Sequence, residues 1–301
     1  MGELTAPFAE LEKSLYQVVQ ATLDEILPQA YATVKEAARR LVGTEVQVTG
    51  QTLVWDMVPY HVQIIGGTAL HEAVERGQVG YLSAAPLRVM AEACARWQQR
   101  HHGWDVPADM IRAVPDVLGA LEVACRHYLP AGAMVAVPVP CYMPFLPLLA
   151  LLGHPVVQVP MLRGEGDWSL DEAALDAAFA AGARMLLLCN PHNPIGKVYA
   201  RAELQRIATI AARHDARVFA DEIHAPLVYP GHRHVPYATV SADAARQAIT
   251  AVSASKAWNL AGLKCAQLIF TRPDDLQRWR EVGHFAGNST STLGVVAHTA
   301  A

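Results

Sequence analysis

Four short segments of this chain carry side chains that could do chemistry together: Asn190-Pro191-His192-Asn193-Pro194-Ile195-Gly196, Asp221-Glu222-Ile223-His224, Ser253-Ala254-Ser255-Lys256 and Pro140-Cys141-Tyr142. Each follows a run that reads as a β-strand. An amide, a carboxylate, a lysine, two hydroxyls and an aromatic ring are therefore expected along one edge of a parallel sheet, where ligands of such sheets bind. A lysine amine forms a Schiff base with an aldehyde, and a carboxylate keeps a pyridine nitrogen protonated so that its ring withdraws electrons. An aromatic face stacks on such a ring, while hydroxyls and the free N–H groups of a helix start hold a phosphate. The inventory suits pyridoxal 5'-phosphate.

The strands that must position these groups are Met134 to Val139, Arg184 to Cys189, Arg217 to Ala220 and Ile249 to Val252. Between them lie stretches of helical spacing: an Ala-rich helix opened by the capping box Ser169-Leu170-Asp171-Glu172 and closed at Gly182, then Ala200 to His214 and Ala242 to Gln247. Strand and helix in alternation predict an α/β fold of three layers with a mostly parallel central sheet. Ahead of it, apolar residues at helical spacing from Phe8 to Leu27 and from Tyr31 to Leu41 predict two N-terminal helices within a helical segment 1–68. The second domain then runs from 69 to 301.

Composition narrows the function class. The 301 residues are 52% hydrophobic and 17% charged, enough to bury a large core and too apolar for a disordered chain. With 24 Lys+Arg against 28 Asp+Glu the net charge is −4, so there is no global positive field to hold nucleic acid or anionic lipid. The five cysteines are scattered without a C-x-x-C pair, which fits a reducing cytoplasm rather than a disulfide framework or a cysteine-rich zinc site. The N-terminus lacks the pattern of a secretory signal. Ala133 to Gly153 is 21 residues long and uncharged, yet Pro138, Pro140, Pro144 and Pro147 interrupt it. It reads as a buried strand, a turn and a helix start rather than a membrane span. Glu222, Lys197, His101, His102, His232 and His234 read as structural or surface residues, with no metal set among them.

NPHNPIG, DEIH and SASKAWNLAGLK resemble the signatures of the fold-type I pyridoxal phosphate aminotransferases, in their cystathionine β-lyase-like C–S lyase branch. The resemblance runs from about Ala69 to Ala301, and the joint spacing is specific, Asn193 preceding Asp221 by 28 residues and Lys256 following it by 35. It implies that Lys256 is the Schiff-base lysine and the base at the substrate α-carbon. It also implies that Asp221 pairs with the pyridinium nitrogen, Asn193 and His224 bond the ring 3-oxygen, and Tyr142 stacks on the ring. Ser253, Lys264 and the backbone amides of Val117 and Leu118 would take the phosphate. Asp116 would repel that phosphate unless its carboxylate turns to cap the helix. Tyr81 matches a tyrosine that reaches the phosphate from a second subunit, which implies a homodimer. The reaction implied is β-elimination from cystathionine or cysteine conjugates to thiol, pyruvate and ammonia. The alternative on the same residues is an aminotransferase. An alternative of another class is a non-catalytic cofactor-binding fragment or interaction module.

The chain departs from this pattern at both ends. The branch's W-x-A-D-M-D-F is only echoed by Trp55-Asp56-Met57-Val58-Pro59-Tyr60. Residues from about Thr22 to His71 instead resemble the start of the preprotein translocase motor ATPase. No G-x-x-x-x-G-K-[ST] loop follows there or elsewhere, so a triphosphate has neither backbone cradle nor lysine, and no nucleotide hydrolysis is expected. At the other end the chain stops at Ala301, before the small domain in which the family holds an arginine for the substrate carboxylate. The expectation is a translocase-like leader joined near residues 66 to 74 to a large domain without its small domain, with turnover lowered by orders of magnitude.

Overall fold

The computed structural model describes residues 39–40, 42–48, 51–54, 69–164 and 166–301. Contacts divide the chain into two units, Met1–Ile64 and Ile65–Ala301. In the first, β1 (Glu45–Val48) and β2 (Gln51–Val54) pair as an antiparallel hairpin with Val48 opposite Gln51. The helical reading of residues 1–68 does not extend to this stretch, whose β-branched Val46, Val48, Thr52 and Val54 favour extended pairing. The helix expected from Phe8 to Leu27, nearly all of the one from Tyr31 to Leu41, and the Trp55–Tyr60 echo lie outside the described residues.

The second unit opens with helical residues 69–75. Its strands are β3 (Ile111–Val114), β4 (Met134–Val139), β5 (Val156–Arg163), β6 (Trp168–Leu170), β7 (Ala183–Cys189), β8 (Arg217–Asp221), β9 (Ala248–Val252) and β10 (Ala266–Phe270). They form one sheet in the order β3-β10-β9-β8-β7-β4-β5-β6. The run β9-β8-β7-β4-β5 is parallel, whereas β6 at one edge and β10 near the other are antiparallel to their neighbours.

Side chains alternate across this sheet, and both faces are covered. Met185, Leu187 and Cys189 of β7 join Val135, Val137 and Phe219 in one core, packed under α2 (Val117–Tyr128), α3 (Phe145–Leu151) and α7 (Pro273–Gly287). Leu186 and Leu188 point the other way, joining Ala136, Val218 and Ala220 beneath α1 (Ala84–His102), α4 (Glu172–Ala180) and α5 (Arg201–Arg213). The architecture is thus three layers around a mostly parallel sheet, as the alternation of strand and helix predicts. The uncharged stretch from Ala133 becomes β4, a turn and α3.

One cap differs from expectation. Ser169 is held in β6 opposite Leu162, so Asp171 caps α4 instead, its carboxylate accepting from Ala174 N–H at 2.9 Å. Two short helices complete the fold, α6 (Ala242–Gln247) and α8 (Thr292–Ala300). Among the described residues no helix is long and apolar enough to cross a membrane.

Candidate active site

The carboxyl ends of β9, β8, β7 and β4 open side by side, with Cys189 level with Asp221 and Asp221 level with Ala251. β10 runs the opposite way, which returns the residues just before it, Lys264 and Cys265, to the same edge. β3 is antiparallel to β10 and therefore also ends there, Val114 opposite Ala266, and the chain turns through Pro115-Asp116 into α2. Six strands thus deliver their loops to one rim.

A cleft at this rim brings together Val117, Leu118, Tyr142, Asn193, Asp221, His224, Lys256 and Lys264 from the sequence reading. It includes Asp116 and Ser255, which that reading put at the rim without a ligand-binding role, and adds Phe145 and Cys189. For Cys189 and Ser255 the signal was present: one is the last residue of β7 before the Asn-Pro loop, and the other directly precedes Lys256.

The electrostatics of the cleft are those of a site prepared for a partner. Asp221 is buried, and among the described residues its carboxylate accepts a single hydrogen bond, from Ile223 N–H at 3.1 Å. Burial pushes its carboxyl up to about 7, against the lowering effects of that bond and of Lys256. The side chains of Lys256, Asn193 and His224 have no hydrogen-bond or ion-pair partner among the described residues. Burial, and then the Lys256 charge, lower the imidazole of His224, which favours its neutral form. Cys189 is a thiol rather than a thiolate, because burial raises it and Asp221 adds to the effect.

Asp116 resolves the conflict foreseen beside Val117 and Leu118. One oxygen caps α2 by accepting from Gly119 N–H at 2.7 Å, and the other accepts from Lys264 Nζ at 2.9 Å. The carboxylate is thereby neutralised, and Lys264 stands next to the first turn of α2.

Buried polar groups fix the loops. The Asn190 side chain accepts from Tyr199 N–H at 3.2 Å and donates to the Val235 carbonyl at 3.3 Å. His192 lies between the Tyr199 hydroxyl at 3.1 Å and the Pro140 carbonyl at 2.9 Å, tying the β7 loop to the β4 loop. Lys197 pairs with Glu203 and Asp167. Glu222 accepts from Tyr237 N–H at 2.7 Å and meets His234 Nε2 at 3.2 Å. These four residues support the rim without facing the cleft.

Two expected residues are not at the cleft. Ser253 lies behind it, with its hydroxyl 2.7 Å from Ser255 Oγ, 2.8 Å from the Cys265 carbonyl and 3.1 Å from His298 Nε2. Ser255 is the hydroxyl that lines the cleft. Tyr81 is fully exposed elsewhere on the surface, beside Leu82 and Leu87.

The donor set fits pyridoxal phosphate: a lysine amine with no partner among the described residues, a desolvated carboxylate in need of a cation, a half-buried aromatic ring, and a helix start beside a lysine. Comparison with known proteins agrees. Cystathionine beta-lyase of Corynebacterium glutamicum is 38% identical over 229 residues, covering 76% of this chain and 60% of that protein. A crystal structure from Corynebacterium diphtheriae, assigned as a pyridoxal-phosphate-dependent β-cystathionase, superposes with a TM-score of 0.73 at 38% identity, over 78% of this chain and 60% of its own. Cystalysin from Treponema denticola, which contains pyridoxal 5'-phosphate, superposes with a TM-score of 0.74 at 25% identity, over 89% of this chain and 67% of its own. The chain spans about 60% of the length of the curated relative it matches. Residues 2–77 separately match the SecA DEAD-like domain. With the aminotransferase class I and II pattern matched from residue 71 to residue 298, across the whole sheet and every loop of the cleft, the chain belongs to the class I and II aminotransferase family.

Proposed function

We propose that this chain binds pyridoxal phosphate through Lys256 and cleaves the Cβ–S bond of cysteine conjugates such as cystathionine. The observation that carries the reading is the presence, in one cleft, of the buried Asp221 carboxylate and of a Lys256 amine that has no partner among the described residues. Bound there, the cofactor supplies an electron sink for the charge left at the substrate α-carbon. Lys256 Nζ takes the α-proton, so it must be neutral when it acts. Asp221 holds a proton on the ring nitrogen, Asn193 and His224 bond the ring 3-oxygen, and Tyr142 covers one ring face. The first turn of α2, Lys264 and the Ser255 hydroxyl, which Ser253 supports from behind, hold the phosphate.

The similarity to proteins named as cystathionine β-lyase and β-cystathionase supports elimination over amino transfer. A transaminase reading uses the same residues and differs in where the proton returns. The two separate on incubation with cystathionine: elimination releases thiol and pyruvate together and turns over. Loss of the substrate amino group to the cofactor, without thiol, would overturn the lyase reading. Borohydride reduction followed by peptide mapping tests the shared step, and a label on a lysine other than Lys256 would overturn both. Tyr81 is fully exposed, as suits a side chain that serves a second copy, so the working form is proposed to be a homodimer. All five cysteines are free, which supports a cytoplasmic setting.

A further inference from the structure

Helix α8 lays one stripe of residues, at helical spacing, against the two turns that carry the lysines of the cleft. Its N-cap Ser291 donates its backbone N–H to the Lys264 carbonyl at 3.0 Å. One turn on, Gly294 lies so close that a Cβ there would meet the Leu263 carbonyl and come within 2.9 Å of Cys265 Cβ. A further turn on, His298, 8% exposed, reaches the Ser253 hydroxyl at 3.1 Å.

The hydrogen-bond roles follow from the partners. His298 Nδ1 faces the Gly294 carbonyl at 2.9 Å, and a carbonyl only accepts, so Nδ1 carries the hydrogen. In the neutral ring Nε2 is then an acceptor for Ser253 O–H. Ser253 Oγ also lies 2.8 Å from the Cys265 carbonyl oxygen, so His298 and Cys265 share its one hydroxyl hydrogen. Ser253 Oγ in turn accepts from Ser255 N–H at 3.1 Å and meets Ser255 Oγ at 2.7 Å. Ser255 and Lys256 line the cleft, and the turn they begin closes through Leu260 N–H to the Ser255 carbonyl at 3.1 Å and Trp258 N–H to the Ala254 carbonyl at 3.0 Å.

We propose that His298 is a positioning residue of the cleft, fixing through Ser253 the turn that presents Ser255 and Lys256. It touches neither cofactor nor substrate. The inference rests on the reading of the cleft as a pyridoxal phosphate site, but its geometry can be tested with or without the cofactor.

Two near-isosteric variants divide the ring's two contacts. His298→Asn keeps a donor at the Nδ1 place, toward Gly294, and loses the reach to Ser253. His298→Gln extends an amide to the Nε2 place. In the cofactor-free chain, amide hydrogen exchange over residues 254–260 is expected to rise about tenfold in His298→Asn, on the order of one hydrogen bond, and to stay within about threefold of the parent in His298→Gln. Pyridoxal phosphate titrations, read by borohydride trapping on Lys256, should follow the same order. Ser253→Ala should reproduce the His298→Asn loss, and the double variant should add nothing further. Equal exchange in the Asn variant and the parent, or equal defects in the Asn and Gln variants, would overturn the proposal. A parent chain that never labels at Lys256 sinks the cofactor reading instead, and the exchange comparison still decides the role of His298.

Discussion

Burial holds the carboxyl of Asp221 at about 7, against 3.8 for the same group in water, so the folded chain without cofactor keeps a proton there that the unfolded chain gives up. Between these two values the folded state binds more protons than the unfolded one. Its stability therefore falls as pH rises through that window, and above about 7 the full cost is present. A cation at the ring nitrogen removes the cost, which couples binding to the ionisation of Asp221. Asp221→Asn is expected to raise the melting temperature of the cofactor-free chain at about pH 8, with the gain shrinking towards about pH 4. A gain equal at both ends of a melting series would contradict this account. The same variant should weaken retention of the cofactor, an effect opposite in sign to the gain in stability. At this scale the sequence is informative wherever a reactive side chain lies at the carboxyl end of a strand or in the loop just after it, as Asp221, Asn193 and Lys256 do. It is silent on which of two hydroxyls in Ser-Ala-Ser faces the ligand, because that depends on α8, whose His298 lies 45 residues away.

Arg217 begins β8, and Asp275 sits in the first turn of α7. They form a two-pronged pair at 3.0 and 2.6 Å, with side chains 15% and 5% exposed. The pair fixes one of the covering helices to the strand that ends in Asp221. Breaking it leaves a guanidinium with little water, so Asp275→Ala is expected to lower unfolding stability by about 3–5 kcal/mol in denaturant titrations. A loss under about 1 kcal/mol would place the pair among those screened by solvent. The central strands were readable because RMLLLC and ITAV are apolar runs of strand length between turn signals. β10 and β3 were not: AQLIF is buried on both faces and IRAV has only four residues, so neither shows an alternation to separate it from the end of a helix. The S-x-x-E pattern at Ser169 misled for a related reason. Local capping chemistry fits two registers, and the pairing of β6 with β5 selects Asp171.

At the scale of the whole molecule, the described residues that line the cleft run from Asp116 to Lys264, all within the second unit. The N-terminal segment is proposed to be separable from it. Removal of residues 1–65 is expected to leave cofactor binding within about threefold of the parent, as measured by titration. A larger loss would show that the segment contributes to the cleft.

The reversed direction of β10 has an evolutionary consequence. A parallel pair such as β8 and β9 is joined by a crossover that leaves the rim, so length added there is absorbed far from the ligand at a small closure cost. The link between β9 and β10 never leaves the rim, and it carries both Lys256 and Lys264. Its length is therefore a ruler set to the distance between the reactive end of the ligand and its anion. Two residues inserted beside exposed Gly231 should be nearly silent, whereas the same two after Asn259 should abolish trapping at Lys256 while leaving the fold intact by circular dichroism. Lineages descended from this architecture should thus vary freely in the crossovers and hold the count between the two lysines constant.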